Sequence, residues 1–112
     1  LSAAILNARK VVDEHKMQAS IFGHVGDGNF HVAMAIDQHN DEELATMHAI
    51  NDKIVQFALG VGGTCTGEHG IGIGKKRYLH QEHASTIAIM KGIKKQLDPH
   101  NLLSPGVLFD VE

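Results

Sequence analysis

At 112 residues, with 43% hydrophobic and 21% charged, the chain can fill one core but not two and is too apolar to be disordered. Its 10 basic and 13 acidic residues leave a net charge of −3, which excludes a nucleic-acid-binding field, and its longest apolar runs, such as residues 33–36, cannot span a bilayer. A single cysteine, Cys65, excludes an internal disulfide framework and fits a reducing compartment.

The sequence opens inside a helical pattern without an initiator Met, which predicts a piece of a longer protein. Ser2 is expected to cap a first helix that runs to about Met17, with Ile5, Ala8, Val11 and Val12 on its apolar face. Two strand-like runs, residues 20–25 and 29–36, flank Gly26-Asp27-Gly28, and Asp27-Gly28 predicts a two-residue hairpin turn. Asn40, with Glu43 as capping-box partner, opens a second helix that carries Leu44, Met47, Ile50, Ile54, Phe57 and Ala58 inward and stops at Gly60. Residues 60–74 are too glycine-rich for a helix and read as a short strand within ordered loops. Residues 75–79 predict one or two helical turns. Residues 84–97 predict a further helix, with Ile87, Met90, Ile93 and Leu97 inward, ended by Asp98-Pro99. The tail from His100 has no periodicity. The sum is a single α+β domain: an antiparallel hairpin whose apolar face is covered by three or four helices.

Glycine (12) and histidine (9) are abundant, and they cluster together in two places. In the first, a turn at Asp27-Gly28 sets Gly26 opposite Asn29, Val25 opposite Phe30 and His24 opposite His31. Ile21, Val25, Phe30, Val32 and Met34 then share an apolar face. Phe22, His24, His31 and Ala33 share the other, where two facing imidazoles suit two ligands of one metal ion. The plainer alternative is a pair of ordinary histidines on a solvated face.

The second cluster runs from Gly62 to Gly72 and holds Glu68-His69, an acid beside a base. Glu is a metal ligand type and His a general base, and His2Glu with an open position is a catalytic metal geometry; an exposed Glu-His pair in a surface loop is the alternative. The alternation Gly70-Ile71-Gly72-Ile73-Gly74 lacks the helix-opening context of a phosphate cradle and is discounted. Cys65, between two threonines, has no base or cation to form a thiolate and reads as a buried structural thiol. Lys75-Lys76-Arg77 reads as a solvated face or as a steering patch for an anion. His15, His39, His48, His80, His83 and His100 are given no role.

Taken together, Gly23-His24-Val25-Gly26-Asp27-Gly28-Asn29-Phe30-His31 and Gly63-Thr64-Cys65-Thr66-Gly67-Glu68-His69-Gly70-Ile71-Gly72 resemble the two signature stretches of the C-terminal domain of FAD-linked oxidases. That family includes cytochrome-type D-lactate dehydrogenases, glycolate oxidase flavoprotein subunits and D-2-hydroxyglutarate dehydrogenases. The tail, Leu97-Asp98-Pro99 with Ser104-Pro105-Gly106, is similar to the family's closing motif, with Ser104 in place of its usual Asn and Val107 in place of its Lys. Ala33 stands where the hydroxyglutarate branch tends to have Asn, and residues 64–67 are more similar to the D-lactate branch.

The resemblance implies that this is the last part of a substrate or cap domain, with an FAD-binding domain elsewhere in the full-length protein. It implies His24, His31 and Glu68 as ligands of a divalent metal, zinc first among them, and His69 as the catalytic base. It implies Asn29, Asn101 and Ser104 near the flavin. The expected reaction is oxidation of a small D-2-hydroxy acid, with hydride passing to FAD and then to an acceptor such as a cytochrome or quinone. The chain alone is expected to be inactive, homo-oligomeric and cytoplasmic, peripheral to the inner membrane in the full-length protein. Two other readings stand beside it: a metal-binding or oligomerisation module without redox activity, and a small metallohydrolase in which His69 activates water.

Overall fold

In the computed structural model, which describes residues 1–111, Ala8, Val11 and Val12 lie three and four residues apart on one face of helix α1 (Ser2–Glu14) and are all buried. Ser2 is the first helical residue and not a cap. The helix starts one residue earlier than the sequence predicts, and Leu1 accepts the first bond from the Ile5 amide through its carbonyl at 3.0 Å. The helix also ends before Met17. Lys16 takes a left-handed backbone (φ 51°), the Met17 amide reaches back to the Val12 carbonyl at 3.2 Å and the Lys16 amide to Asp13 at 3.0 Å. This is the Schellman arrangement, and Met17 packs on the cluster that holds Val12, as its apolar contact requires.

Strands β1 (Ala19–Phe22) and β2 (His31–Met34) form one antiparallel pair. The register is Ala19↔Met34, Ser20↔Ala33, Ile21↔Val32 and Phe22↔His31. It is shifted by two residues from the pairing a two-residue turn would give. His31 therefore opposes Phe22, not His24. The physical cause is the connection, in which Val25–Asp27 form a 3-10 turn whose backbone bonds close on themselves, Asp27 N to His24 O at 2.9 Å and Gly28 N to Val25 O at 3.2 Å. With those groups satisfied inside the loop, no ladder forms beyond Phe22. Val25 accordingly leaves the apolar face and stands exposed. Because the shift is an even number, every remaining side chain keeps its expected face. Ala19, Val32 and Met34 pack on the cluster, while Ser20, Phe22 and Ala33 turn away.

Helix α2 (Asp41–Gly60) begins as the sequence predicts. Asn40 accepts from the Glu42 and Glu43 amides at 3.1 and 3.2 Å, and its own amide group donates to Glu43 Oε1 at 3.2 Å. Asp41, Glu42 and Glu43 place negative charge on the helix N-terminus, where the dipole favours it. Ile50 is completely buried and packs with Val11 and Val12, and Ile54 lies one turn on against the same cluster. These four elements form a compact unit, Leu1–Gly67, with both helices on one face of the hairpin.

A second unit runs from Glu68 onward. Residues 68–75 contain turns and bends, and among the described residues no strand forms between 60 and 74. The expected short strand is absent because Gly62, Gly70 and Gly72 take left-handed backbone, which an extended ladder cannot accept. Helix α3 (Lys76–His83) is longer than expected and buries Tyr78 and Leu79. Helix α4 (Ile87–Leu97) starts later than expected. Ile87 packs with Leu79 and Phe109, and Met90 lies against them. Ile93 and Leu97 were expected inward but are 57% and 76% exposed, since the apolar cluster around Ile87 reaches Met90 and includes neither of them. No helix among the described residues is long and apolar enough to cross a membrane.

The tail is held by polar bonds. Asp98, 7% exposed, pairs with Lys94 one turn earlier and accepts the Leu102 and Leu103 amides at 2.9 and 2.8 Å. Those partners, Lys94 first, hold its carboxyl well below the usual range, at about 2. Lys76 donates to the Gly106 carbonyl at 3.1 Å and to Asp110 at 2.6 Å, and the Leu108 amide donates to Gly72 O at 3.0 Å.

Candidate metal centre

The loop between the strands brings His24 back beside His31 even though the two are not cross-strand partners. His24 precedes the 3-10 turn, and its carbonyl accepts from the amides of Asp27 and Asn29, at 2.9 and 3.2 Å. The chain therefore folds over within six residues, and the two imidazoles meet edge to face with centroids 6.1 Å apart. The loop neck needs glycine at 23, because a Cβ there would lie 2.5 Å from Phe30 Cα and 2.7 Å from the Asn29 carbonyl oxygen. Both are backbone atoms and cannot move aside. On its other side the His31 ring rests on Phe22, centroids 5.4 Å apart, which limits its rotation.

The candidate acidic donor, Glu68, follows the end of α2. Gly62 takes a left-handed backbone, its amide bonds to Leu59 O at 3.1 Å and the Gly63 amide to Ala58 O at 2.8 Å. This is a second Schellman turn, and it reverses the chain. Cys65 is then buried at 6% exposure, in keeping with a structural thiol. Gly67 comes to lie directly against the Asn29 side chain. Glu68 follows Gly67 by one peptide bond, so its starting point is fixed by that packing within the first unit.

The outcome is a group of three donors. One nitrogen each from His24 and His31 and one carboxylate oxygen of Glu68 all lie within 4.8 Å of one another. Bonds of roughly 2.0–2.2 Å to zinc would set tetrahedral donors about 3.4 Å apart, so modest side-chain rotation closes the set. Two imidazoles and one carboxylate are the donor chemistry of a catalytic site that keeps a fourth position open. His24 is exposed and His31 half-buried, so the site is reachable from solvent.

His69 follows Glu68 in the chain, with its Nε2 3.3 Å from Glu68 Oε1. Both side chains are well exposed (69% and 43%), so this contact adds little stability. Of the residues expected near a flavin, Asn29 closes the hairpin loop. Asn101 has a left-handed backbone (φ 50°), and its Oδ1 is buried with no hydrogen-bond partner among the described residues. Ser104 is exposed on a turn with φ 45°. The basic run is structural in part: Lys76 holds the tail, and the Arg77 guanidinium lies 4.8 Å from the Tyr78 ring centre. Sequence reasoning missed the Phe22 ring against His31, which the assumed register put elsewhere. It also missed the Asp98 clamp, whose signal was present as Lys94 and Asp98 at i, i+4 before a proline.

The whole chain falls within a known class. Residues 1–108 match the C-terminal domain of FAD linked oxidases, and the chain belongs to that family. Across 112 residues it is 38% identical to the probable mitochondrial D-lactate dehydrogenase of Danio rerio, covering 99% of this chain and 22% of that protein. It is also 38% identical over 109 residues to the mitochondrial D-lactate dehydrogenase [cytochrome] of Arabidopsis thaliana (96% of this chain and 19% of that protein covered). The glycolate oxidase subunit GlcD of Bacillus subtilis is 36% identical over 100 residues (88% and 21% covered). The chain spans about a fifth of the length of these relatives.

Proposed function

We propose that this chain is the substrate-side part of a flavin-dependent oxidoreductase that oxidises a small D-2-hydroxy acid, D-lactate or glycolate. The observation that carries the proposal is the convergence of His24, His31 and Glu68 donor atoms within 4.8 Å. In this reading the three residues hold a divalent cation, zinc by donor type. When bound, the cation lowers the pKa of a coordinated hydroxyl, and FAD supplies the hydride acceptor.

The chain's own residues then have separable tasks. His24 and His31 offer neutral nitrogens and Glu68 one negative charge, so the set leaves a net positive centre for an anionic hydroxy acid. His69 takes the hydroxyl proton. Its Nε2 faces Glu68, and the adjacent carboxylate steadies the imidazolium that forms. The buried Asn101 Oδ1 is an acceptor suited to an imide N–H such as an isoalloxazine ring carries. The electron acceptor after the flavin is a carrier such as a cytochrome, as the name of the Arabidopsis thaliana relative has it.

Anaerobic substrate addition to the full-length protein, with flavin absorbance as the readout, tests this reading. D-lactate or glycolate is expected to bleach the flavin, and His69→Gln to slow bleaching by roughly 10²–10⁴-fold while metal content is unchanged. Equal rates in His69→Gln and wild type would remove His69 as the base, and no bleaching by any small 2-hydroxy acid would overturn the substrate class.

A further inference from the structure

Asn29 makes contacts that neither the donor set nor the base accounts for. Its side chain lies across the bare Cα of Gly67: a Cβ at that position would stand 2.0 Å from Asn29 Oδ1, 2.4 Å from Cγ and 2.8 Å from Nδ2. Its backbone N–H donates to the His24 carbonyl at 3.2 Å, and its backbone carbonyl oxygen would lie 2.7 Å from a Cβ on Gly23. Asn29 is thus bonded to the residue that bears the first donor, packed on the residue that precedes the third, and two positions from the second. The side chain is half-buried and fills the gap between the hairpin loop and residue 67.

We propose that Asn29 is a positioning residue for the metal site, setting the Glu68 carboxylate against His24 and His31 through its packing on Gly67. The inference rests on the metal reading above. Glu68 sits in a glycine-rich segment whose backbone has many conformations available, so without a fixed point its carboxylate would have to be ordered when the metal binds. Packing at residue 67 places that ordering in the folded apo chain, which raises affinity for the metal. Gly67 is the matching half of the device, because any side chain there would displace the Asn29 amide.

The test is Zn²⁺ affinity by competition with a chromophoric chelator, and thermal midpoints of the metal-free chain, for wild type, Asn29→Ala, Asn29→Asp, Gly67→Ala, the double variant Asn29→Ala/Gly67→Ala, and His31→Ala. Asn29→Ala is expected to weaken Zn²⁺ by about 10–100-fold, the usual effect of losing a group that orients a ligand, with little change in midpoint. Asn29→Asp, of the same shape, is expected to restore binding. Gly67→Ala should weaken Zn²⁺ similarly and lower the midpoint, and in the Asn29→Ala background it should do neither, because the overlapping atoms are gone. Wild-type affinity in Asn29→Ala, or additive losses in the double variant, would overturn the positioning role. Equal affinities in wild type and His31→Ala would instead overturn the metal reading, and the midpoints would still show whether Asn29 and Gly67 are coupled.

Discussion

In the first unit Val12 and Ile50 are completely buried, whereas in the second the α4 residues Ile89, Ile93 and Leu97 are 57–76% exposed and the tail is anchored by Phe109 and by a buried carboxylate, Asp98. One unit is held by aliphatic side chains closing over one face of a hairpin. The other has a small cluster around Leu79, Ile87 and Phe109 and a tail tied by Lys94–Asp98 and Lys76–Asp110. The difference matters for the site. His24, His31 and Asn29 sit on the unit whose core is aliphatic. His69, which we propose as the base, belongs to the polar unit.

The largest effect expected from this contrast is in the aliphatic core. Ile50→Ala removes a fully buried side chain facing Val11 and Val12, and should cost about 2–5 kcal/mol in urea unfolding. A loss under 1 kcal/mol would show that the first unit is not held as described.

Acid should separate the units next. Asp98 has its pKa lowered from 3.8 to about 2, so the unfolded chain binds its proton first as pH falls. Its contribution is complete above about pH 4 and is lost as pH approaches about 2. Amide exchange is expected to rise at Leu102 and Leu103 over that range while Ile50 remains protected, and Asp98→Asn should loosen the same two amides already at neutral pH. Protection at Leu102 and Leu103 that is unchanged in Asp98→Asn would break the comparison.

The smallest effects concern the two Schellman turns of the first unit, one with Lys16 and one with Gly62 in the left-handed position. Lys16→Gly should stabilise the chain and Gly62→Ala destabilise it, each by about 1 kcal/mol, since an L side chain is disfavoured there by 1–2 kcal/mol. Thermal midpoints moving in opposite directions would confirm that one strained and one relaxed turn close the two helices.

Much of the first unit could be read from residue spacing. Ala8, Val11 and Val12, the Asn40 cap and the alternation in β1 and β2 each follow from local chemistry that the tertiary structure does not override. The hairpin register was misread because Asp27-Gly28 is a strong signal for a two-residue turn, while the competing loop is stabilised by backbone bonds to His24 O that no side-chain pattern reveals. His24 and His31 still meet, by way of a folded loop and not by cross-strand pairing. In α4 the apolar periodicity marked a buried stripe, but periodicity does not tell how far along a helix its partner extends. That is why Ile93 and Leu97 were placed inward and stand exposed.

His24, His31 and Glu68 are proposed to hold one divalent cation. The most direct test of this proposal is a crystal structure of the Zn²⁺-loaded protein with anomalous scattering measured at the zinc edge. One fully occupied peak is expected, with His24, His31 and Glu68 as ligands at roughly 2.0–2.2 Å and His69 outside the coordination shell. A peak ligated by His69 in place of Glu68, or no peak among these residues, would contradict it.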